Sequence, residues 1–216
     1  LAVRVPGLLV ERNGTAVPTT RWSVPVAVDA GAGTPLVLGD VDGDGALEIV
    51  VGGAAIHCLS AESGAEDWTL TLDSPVVSLA LADVDEDGTP DIIAGTESGM
   101  LYLAFEDSIQ WSTQLSGRPG NSAVVADVHG APGLEIALST NAGELCVLNT
   151  DGDEVLAPIP IPGGCGTPTL ADINGDSIVN IDDLFAVLTA WGTCDDCPED
   201  IDDSGIVDID DQLPKR

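Results

Sequence analysis

Two short stretches of the chain place acidic side chains at alternate positions of a tight loop. The first reads DVDGDGALE and the second DVDEDGTPD, and each runs directly into an apolar segment. Oxygen atoms at alternate positions of such a loop converge on one point while glycine supplies the turn, so the pattern predicts a cage for a hard cation. The expected ligands are Asp40, Asp42, Asp44 and Glu48 in the first loop and Asp83, Asp85, Asp87 and Asp91 in the second.

Calcium is the ion that this donor set fits best. Calcium accepts about six to eight oxygen ligands in a flexible geometry, whereas magnesium keeps several of its waters and zinc prefers nitrogen or sulfur. The alternative is a solvated acidic turn that holds no ion.

A third copy of the loop, DVHGAPGLE, departs from this pattern. It keeps Asp127 and Glu135, the first and last acids of the loop. Where the other copies have oxygen ligands or the turn glycine, it has His129, Ala131 and Pro132. We therefore expect the third loop to be metal-free.

The charge of the chain favours cations as partners. The 216 residues include 37 acidic and 6 basic ones, a formal net charge of -31. Such a charge argues against nucleic acid as a partner, although a solvated surface of the halophilic type is an alternative explanation of the charge.

No stretch of about 18 apolar residues is present, so no membrane span is predicted. The chain starts at Leu1 without a methionine, and we expect it to be a fragment.

The acidic loops mark an internal repeat. Their first aspartates stand at positions 40, 83, 127 and 172, which are 43, 44 and 45 residues apart. Each period reads as four short strands, with the acidic loop between the first and the second. We expect a tryptophan near the end of successive units to pack one unit against the next, at Trp22, Trp68 and Trp111. Cys58 and Cys146 occupy matching positions, so we interpret both as core residues.

The loop and its trailing strand resemble the FG-GAP or VCBS repeat of integrin-type β-propellers. The resemblance covers residues 1–166, with three full repeats and part of a preceding one. It implies a mainly β fold, a partial β-propeller of four-stranded antiparallel blades, in which calcium loops join the first two strands of a blade.

The fourth acidic loop begins a different kind of unit. DINGDSIVNIDD matches the EF-hand loop of about 12 residues, and DIDDSGIVDIDD repeats it 28 residues later. Apolar residues at helical spacing follow the first loop, from Leu184 to Trp191. The expected calcium ligands are Asp172, Asn174, Asp176, the Ile178 carbonyl, Asn180 and Asp183 in the first loop, and Asp200, Asp202, Ser204, the Ile206 carbonyl, Asp208 and Asp211 in the second.

Residues 167–216 resemble a type I dockerin, a small α domain of two loop-helix calcium repeats that docks a secreted protein onto a cohesin domain. We expect the second helix to be truncated here. Loop positions 10 and 11, where cellulosomal dockerins often carry a hydroxyl pair, hold Ile181 and Asp182, then Ile209 and Asp210. The resemblance implies a cohesin-like protein partner for the tail.

Cys194 and Cys197 form a CDDC motif between the two tail loops. A zinc site would need a second cysteine pair or nearby histidines, and neither is close in sequence. A local disulfide fits an exported protein better. Cys165 has no assigned partner.

No catalytic motif is found, such as a phosphate-cradling glycine loop or a nucleophile elbow, and three clustered carboxylates suit a cation better than acid-base chemistry. We predict a non-enzymatic, secreted calcium-binding scaffold. Its propeller would bind protein or extracellular glycan, and its tail would dock to a cohesin-type partner. The alternative is the non-catalytic C-terminal targeting part of a larger secreted polysaccharide-degrading hydrolase or lyase.

Overall fold

The computed structural model describes residues 2–6, 10–12, 15–17, 20–25, 34–128, 133–161, 192–193 and 206–207. All regular secondary structure in these ranges is β-strand. Within these ranges no helix is long and apolar enough to cross a membrane.

The chain begins with two small two-stranded sheets. Their strands are β1 (Ala2–Pro6), β2 (Val10–Arg12), β3 (Thr15–Val17) and β4 (Thr20–Pro25). β1 pairs antiparallel with β4, and β2 pairs antiparallel with β3. The β2–β3 hairpin is therefore inserted between the two strands of the first sheet.

Three four-stranded antiparallel sheets follow. Sheet 1 consists of β5 (Leu36–Gly39), β6 (Glu48–Gly52), β7 (Ile56–Ser60) and β8 (Glu66–Leu70). Sheet 2 consists of β9 (Val76–Ala82), β10 (Asp91–Thr96), β11 (Met100–Phe105) and β12 (Ser108–Gln114). Sheet 3 consists of β13 (Val124–Ala126), β14 (Glu135–Thr140), β15 (Glu144–Asn149) and β16 (Glu154–Pro160).

In each of these sheets the strands pair in chain order. For the described residues, the prediction of a mainly β fold with three complete four-stranded antiparallel repeats is therefore confirmed. Two further short strands, β17 (Gly192–Thr193) and β18 (Ile206–Val207), pair antiparallel with each other. The helix expected after the first tail loop, and with it most of the EF-hand-like domain, lies outside the described residues.

The second strand of each sheet is covered on both faces. β6, β10 and β14 are buried along their whole length. Their sequences EIVVG, DIIAGT and EIALST are largely apolar without a polar alternation, which is typical of a strand that is covered on both faces. The outermost strand of sheet 2 is mostly exposed. The sheets therefore stack face to face, with their outer edges turned to solvent.

Neighbouring residues of one strand contribute to different cores, because successive side chains point to opposite faces. Ile92 packs with Val50 and Cys58 in the core between sheets 1 and 2. Ile93 packs with Ile136 and Cys146 in the core between sheets 2 and 3. Sheet 2 is thus held on both sides by apolar contacts.

Two tryptophans connect a unit with the next one. Trp22 Nε1 donates a hydrogen bond to the Ala61 carbonyl at 3.1 Å, and Trp111 Nε1 donates one to the Thr150 carbonyl at 2.7 Å. The first acceptor lies just after β7 and the second just after β15, so each indole reaches the turn between the third and fourth strands of the next sheet. Trp68 packs at the core between sheets 1 and 2. The expected packing role of the repeated tryptophans is confirmed.

Gly152→Ala is expected to lower the free energy of unfolding by about 2–5 kcal/mol. Gly152 has a φ of 85°, and an added Cβ would lie 2.7 Å from Trp111 Cε3. The left-handed backbone costs a side chain about 1–2 kcal/mol, and overpacking against the indole adds about 1–3 kcal/mol. Gly45→Ala is the matched control, because Gly45 has a φ of 88° with no atom within 4 Å of an added Cβ. Urea unfolding in chelator should show a larger loss of unfolding free energy for Gly152→Ala than for Gly45→Ala. Equal losses would contradict the overpacking against Trp111.

Candidate metal centre

The two acidic loops connect the first and second strands of their sheets. Residues 40–47 join β5 to β6, and residues 83–90 join β9 to β10. The strand pairing brings the two ends of each loop together, since Gly39 lies opposite Glu48 and Ala82 lies opposite Asp91. An acid at the start of the second strand is therefore held close to the acids at the start of the loop.

Each loop brings three carboxylates together. In the first loop, one oxygen from each of Asp40, Asp42 and Glu48 lies within 4.8 Å of the others. In the second loop, Asp83, Asp85 and Asp91 form the same arrangement. The acid contributed by the strand is the buried member, with Glu48 5% and Asp91 4% exposed.

Backbone N–H groups of the loop hold the aspartates in place. Asp40 Oδ2 accepts the Gly45 N–H at 2.9 Å, and the corresponding Asp83 Oδ2 accepts the Gly88 N–H at 2.9 Å. Asp42 Oδ1 likewise accepts the Asp44 N–H at 3.1 Å. Two loops of different sequence thus share these contacts, and the second loop has one more, from the Asp87 N–H to Asp83 Oδ1 at 2.9 Å.

The loop path requires left-handed backbone at matching positions. Gly43 and Gly45 have φ values of 72° and 88°, and Gly88 has a φ of 97°. The residue that matches Gly43 in the second loop is Glu86, which keeps the conformation with a φ of 60°. A glutamate in this region is strained, so the second loop retains its path at a cost in backbone energy.

Asp44 and Asp87 lie outside the two three-carboxylate groups. Asp44 Oδ1 accepts the Ala46 N–H at 2.7 Å, and Asp87 Oδ1 accepts the Thr89 N–H at 2.8 Å. These contacts close the turn that leads into the second strand. Of the eight ligands that the sequence predicts in these loops, the structure brings together six, and a ligand role for the other two stays a prediction.

The buried acids have a second role that the sequence did not reveal. Glu48 Oε2 accepts the Val41 N–H at 3.0 Å, and Asp91 Oδ2 accepts the Val84 N–H at 3.0 Å. In the third sheet, Glu135 Oε2 accepts the Val128 N–H at 2.8 Å. This acid therefore satisfies a buried backbone donor in all three sheets. That explains why Glu135 is present in a loop that has lost other acids.

The electrostatics of both groups favour a cation. Burial raises the pKa of Glu48, and repulsion from the loop aspartates adds to this, while the Val41 N–H opposes it. Burial and the neighbouring aspartates raise the pKa of Asp91 in the same way. Asp40 Oδ1 is also buried without a hydrogen-bond partner. A bound cation would offset the repulsion and give this oxygen a partner.

The remaining predicted site residues are described only in part. In the third loop Asp127 and Glu135 are described, whereas residues 129–132 are not, so the expected absence of metal there stays a prediction. In the tail, Ile206 is paired with Thr193 across β17 and β18. The other predicted tail ligands lie outside the described residues, as do Cys165, Cys194 and Cys197.

The two cysteines of the repeats are core residues, as their matching positions predict. Cys58 and Cys146 are free, fully buried thiols on the third strands β7 and β15. Burial raises the pKa of the Cys58 thiol to about 12 and that of Cys146 to about 11. Neither thiol is therefore suited to bind a metal or act as a nucleophile at neutral pH.

A cavity of about 330 Å³ lies where the chain enters the three sheets. Its lining includes Thr34 before β5, Ser78 on β9, and Arg118 and Asn121 before β13. Arg118 Nη1 donates to Glu97 Oε2 at 2.9 Å. The sequence offers no signal for this cavity, because its walls come from segments that are far apart in the chain.

No protein-family model matches the sequence, and no curated protein matches it. Sqt1 from Saccharomyces cerevisiae is similar in structure, with 16% identity, a TM-score of 0.55, and coverage of 76% of this chain and 47% of Sqt1. BBS1N, solved in complex with ARL6DN and soaked with mercury, has 14% identity and a TM-score of 0.51. The match covers 71% of this chain and 47% of BBS1N. BamB from Moraxella catarrhalis has 20% identity and a TM-score of 0.49, and the match covers 72% of this chain and 45% of BamB.

The likeness to Sqt1 and BBS1N defines the fold class. Both are β-propeller-type folds with sheets of four antiparallel strands. The three stacked sheets of this chain are thus consistent with a partial β-propeller. The chain spans less than half the length of these solved structures.

Proposed function

We propose that the chain is a secreted, calcium-binding interaction scaffold with no catalytic activity of its own. One observation carries the calcium part of this proposal. Two loops of different sequence each hold three carboxylate oxygens within 4.8 Å of one another. Several matching hydrogen bonds fix the two loops, which supports a common function for them rather than a chance clustering of acids.

The donor set supports calcium in particular. The ligands are carboxylates, which are hard oxygen donors, and neither group includes the histidine or cysteine that zinc prefers. Asp40, Asp42 and Glu48 would hold the ion in the first loop, and Asp83, Asp85 and Asp91 in the second. A bound calcium ion supplies positive charge that offsets the repulsion between these carboxylates.

The position of the loops connects metal binding with folding. Glu48 and Asp91 begin the fully buried strands β6 and β10, and each accepts an N–H from the opposite end of its loop. A charged carboxylate at this depth is unfavourable without a nearby cation. Calcium binding would therefore stabilise the junction between the first two strands of each sheet.

We further propose that the scaffold binds other macromolecules. The net charge of -31 disfavours nucleic acid and leaves protein or extracellular glycan as the partner of the propeller. BBS1N was solved in complex with ARL6DN, and by analogy of fold we extend a binding role to the sheets of this chain. The two EF-hand-like loops of residues 172–183 and 200–211 support a tail that docks to a cohesin-type protein.

Binding of the full, calcium-loaded chain to immobilised cohesin modules and to extracellular glycans tests this role. We expect saturable binding in calcium that is lost in chelator. Asp172→Ala together with Asp200→Ala should abolish cohesin binding, whereas Asp42→Ala, which alters only a propeller loop, should leave it in place. A calcium-loaded chain that binds neither class of partner would overturn the scaffold role.

A further inference from the structure

Two leucines of β5 are exposed on a face that is otherwise buried. Leu36 is 51% and Leu38 is 55% exposed. In the antiparallel ladder they lie opposite Val51 and Ile49, so all four side chains share one face of sheet 1. Val51 and Ile49 are buried, and Trp22 packs against them from the preceding unit. The covered part of this face is thus continuous with an uncovered apolar part.

The matching positions of sheets 2 and 3 are covered by the preceding sheet. Leu79 and Leu81 lie 43 residues after Leu36 and Leu38, the same spacing as the acidic loops. Leu79 is 1% exposed, and Leu81 packs against the core between sheets 1 and 2. The matching residues Ala123, directly before β13, and Val125, on β13, belong to the core between sheets 2 and 3.

The first strand of the preceding sheet provides part of this cover, as sheets 1 and 2 show. A Cβ added to Gly39 on β5 would lie 2.7 Å from Leu81 Cδ1, so the leucine of sheet 2 packs directly against the backbone of β5. A strand equivalent to β5 in the preceding unit would cover Leu38 in the same manner.

The preceding unit contains only the outer half of a sheet among the described residues. β4 matches the fourth strand of the other sheets, because its Trp22 lies opposite Val5 of β1 just as Trp68 lies opposite Cys58 of β7. β1 therefore matches a third strand. In sheets 1 to 3 the third strand pairs with a second strand on its other side, whereas the described partner of β1 is β4 alone.

We propose that the β1 edge together with Leu36 and Leu38 is a docking surface for a β-hairpin of the β5–β6 type. Such a hairpin has apolar side chains on both strands and forms the first two strands of a further repeat. One strand adds to the edge of β1, and the other covers the leucines. Backbone hydrogen bonds to the edge and apolar contacts to the face thus select the same occupant. The docking surface does not depend on the proposed calcium sites of sheets 1 and 2.

A labelled peptide of residues 34–53, the chain's own hairpin of this type, is the probe. Titrated with the full chain in excess calcium, it should bind saturably. Leu38→Asp in the full chain should weaken binding about tenfold or more, since it removes the burial of a leucine side chain. Ile109→Asp is the control, because Ile109 is 43% exposed but lies on β12 of sheet 2, away from this face.

A fusion tests the same surface without requiring the free peptide to fold. A second copy of residues 34–53 joined ahead of Ala2 should slow maleimide labelling of a Leu38→Cys variant about tenfold or more, because the residue becomes covered. Peptide binding or protection in the fusion would support the proposal. Failure of both would overturn it. A dimer of the unmodified chain that Leu38→Asp dissociates would also overturn it, since the occupant would then be a second copy.

Discussion

Removal of calcium is expected to lower the thermal midpoint of the chain by about 10–20 °C. A site saturated at about 100 times its dissociation constant stabilises the folded state by about 2.7 kcal/mol, so two propeller loops contribute about 5 kcal/mol. For a chain of this size each kcal/mol shifts the midpoint by about 2–4 °C. The effect is large because the loop carboxylates repel one another when no cation is present.

Thermal melts with calcium and with chelator measure this effect. Asp42→Asn combined with Asp85→Asn should melt at the same low temperature in both conditions if the tail contributes little to the main transition. Magnesium should restore less stability than calcium, because magnesium releases its waters reluctantly. An unmodified chain whose midpoint is the same with calcium and with chelator would show that the loops are solvated turns.

Asp91→Ala is expected to lower the free energy of unfolding by about 4–6 kcal/mol when calcium is present. Asp91 is 4% exposed and accepts the Val84 N–H at 3.0 Å. Its removal leaves a buried donor unsatisfied, which costs about 1–3 kcal/mol, and it also removes the calcium stabilisation of about 2.7 kcal/mol. In chelator only the cost of the unsatisfied donor should remain. Urea unfolding with calcium and with chelator therefore separates the acceptor role of Asp91 from its role as a calcium ligand.

Asp91→Asn and Glu135→Ala are the matched controls for these two roles. Asp91→Asn keeps an oxygen acceptor for the Val84 N–H but has no charge. It should therefore lower the free energy of unfolding mainly when calcium is present. Glu135→Ala removes the acceptor of the Val128 N–H in the third loop, and its loss should be the same with and without calcium. A calcium-dependent loss for Glu135→Ala would contradict the prediction that the third loop is metal-free.

The repeat period and the apolar runs were sufficient to predict the fold of residues 36–160. The four strands of each unit follow from apolar runs separated by acidic or glycine-containing turns, and β6 and β10 are read directly from EIVVG and DIIAGT. These features are visible within short stretches of sequence, without knowledge of contacts between distant segments. The spacing of the loops then indicates that each period is one structural unit.

The missed features depend on contacts between distant segments. The N–H acceptor role of Glu48 follows from the pairing of β5 with β6, which brings position 48 next to Val41. The exposure of Leu38 has a similar cause, because its sequence environment resembles that of the covered Leu81 and only the neighbouring unit differs. The positions of Asp44 and Asp87 likewise depend on the path of the turn, which alternate acidic positions alone do not specify.

Calorimetric titration of the chelator-stripped full chain with calcium tests the central claim most directly. The loops of sheets 1 and 2 should each take up one ion. Asp42→Asn combined with Asp85→Asn should therefore bind two fewer ions per chain than the unmodified protein, with any uptake by the tail unchanged. Equal uptake by the two proteins, or no uptake by the unmodified chain at millimolar calcium, would contradict the assignment of these loops as calcium sites.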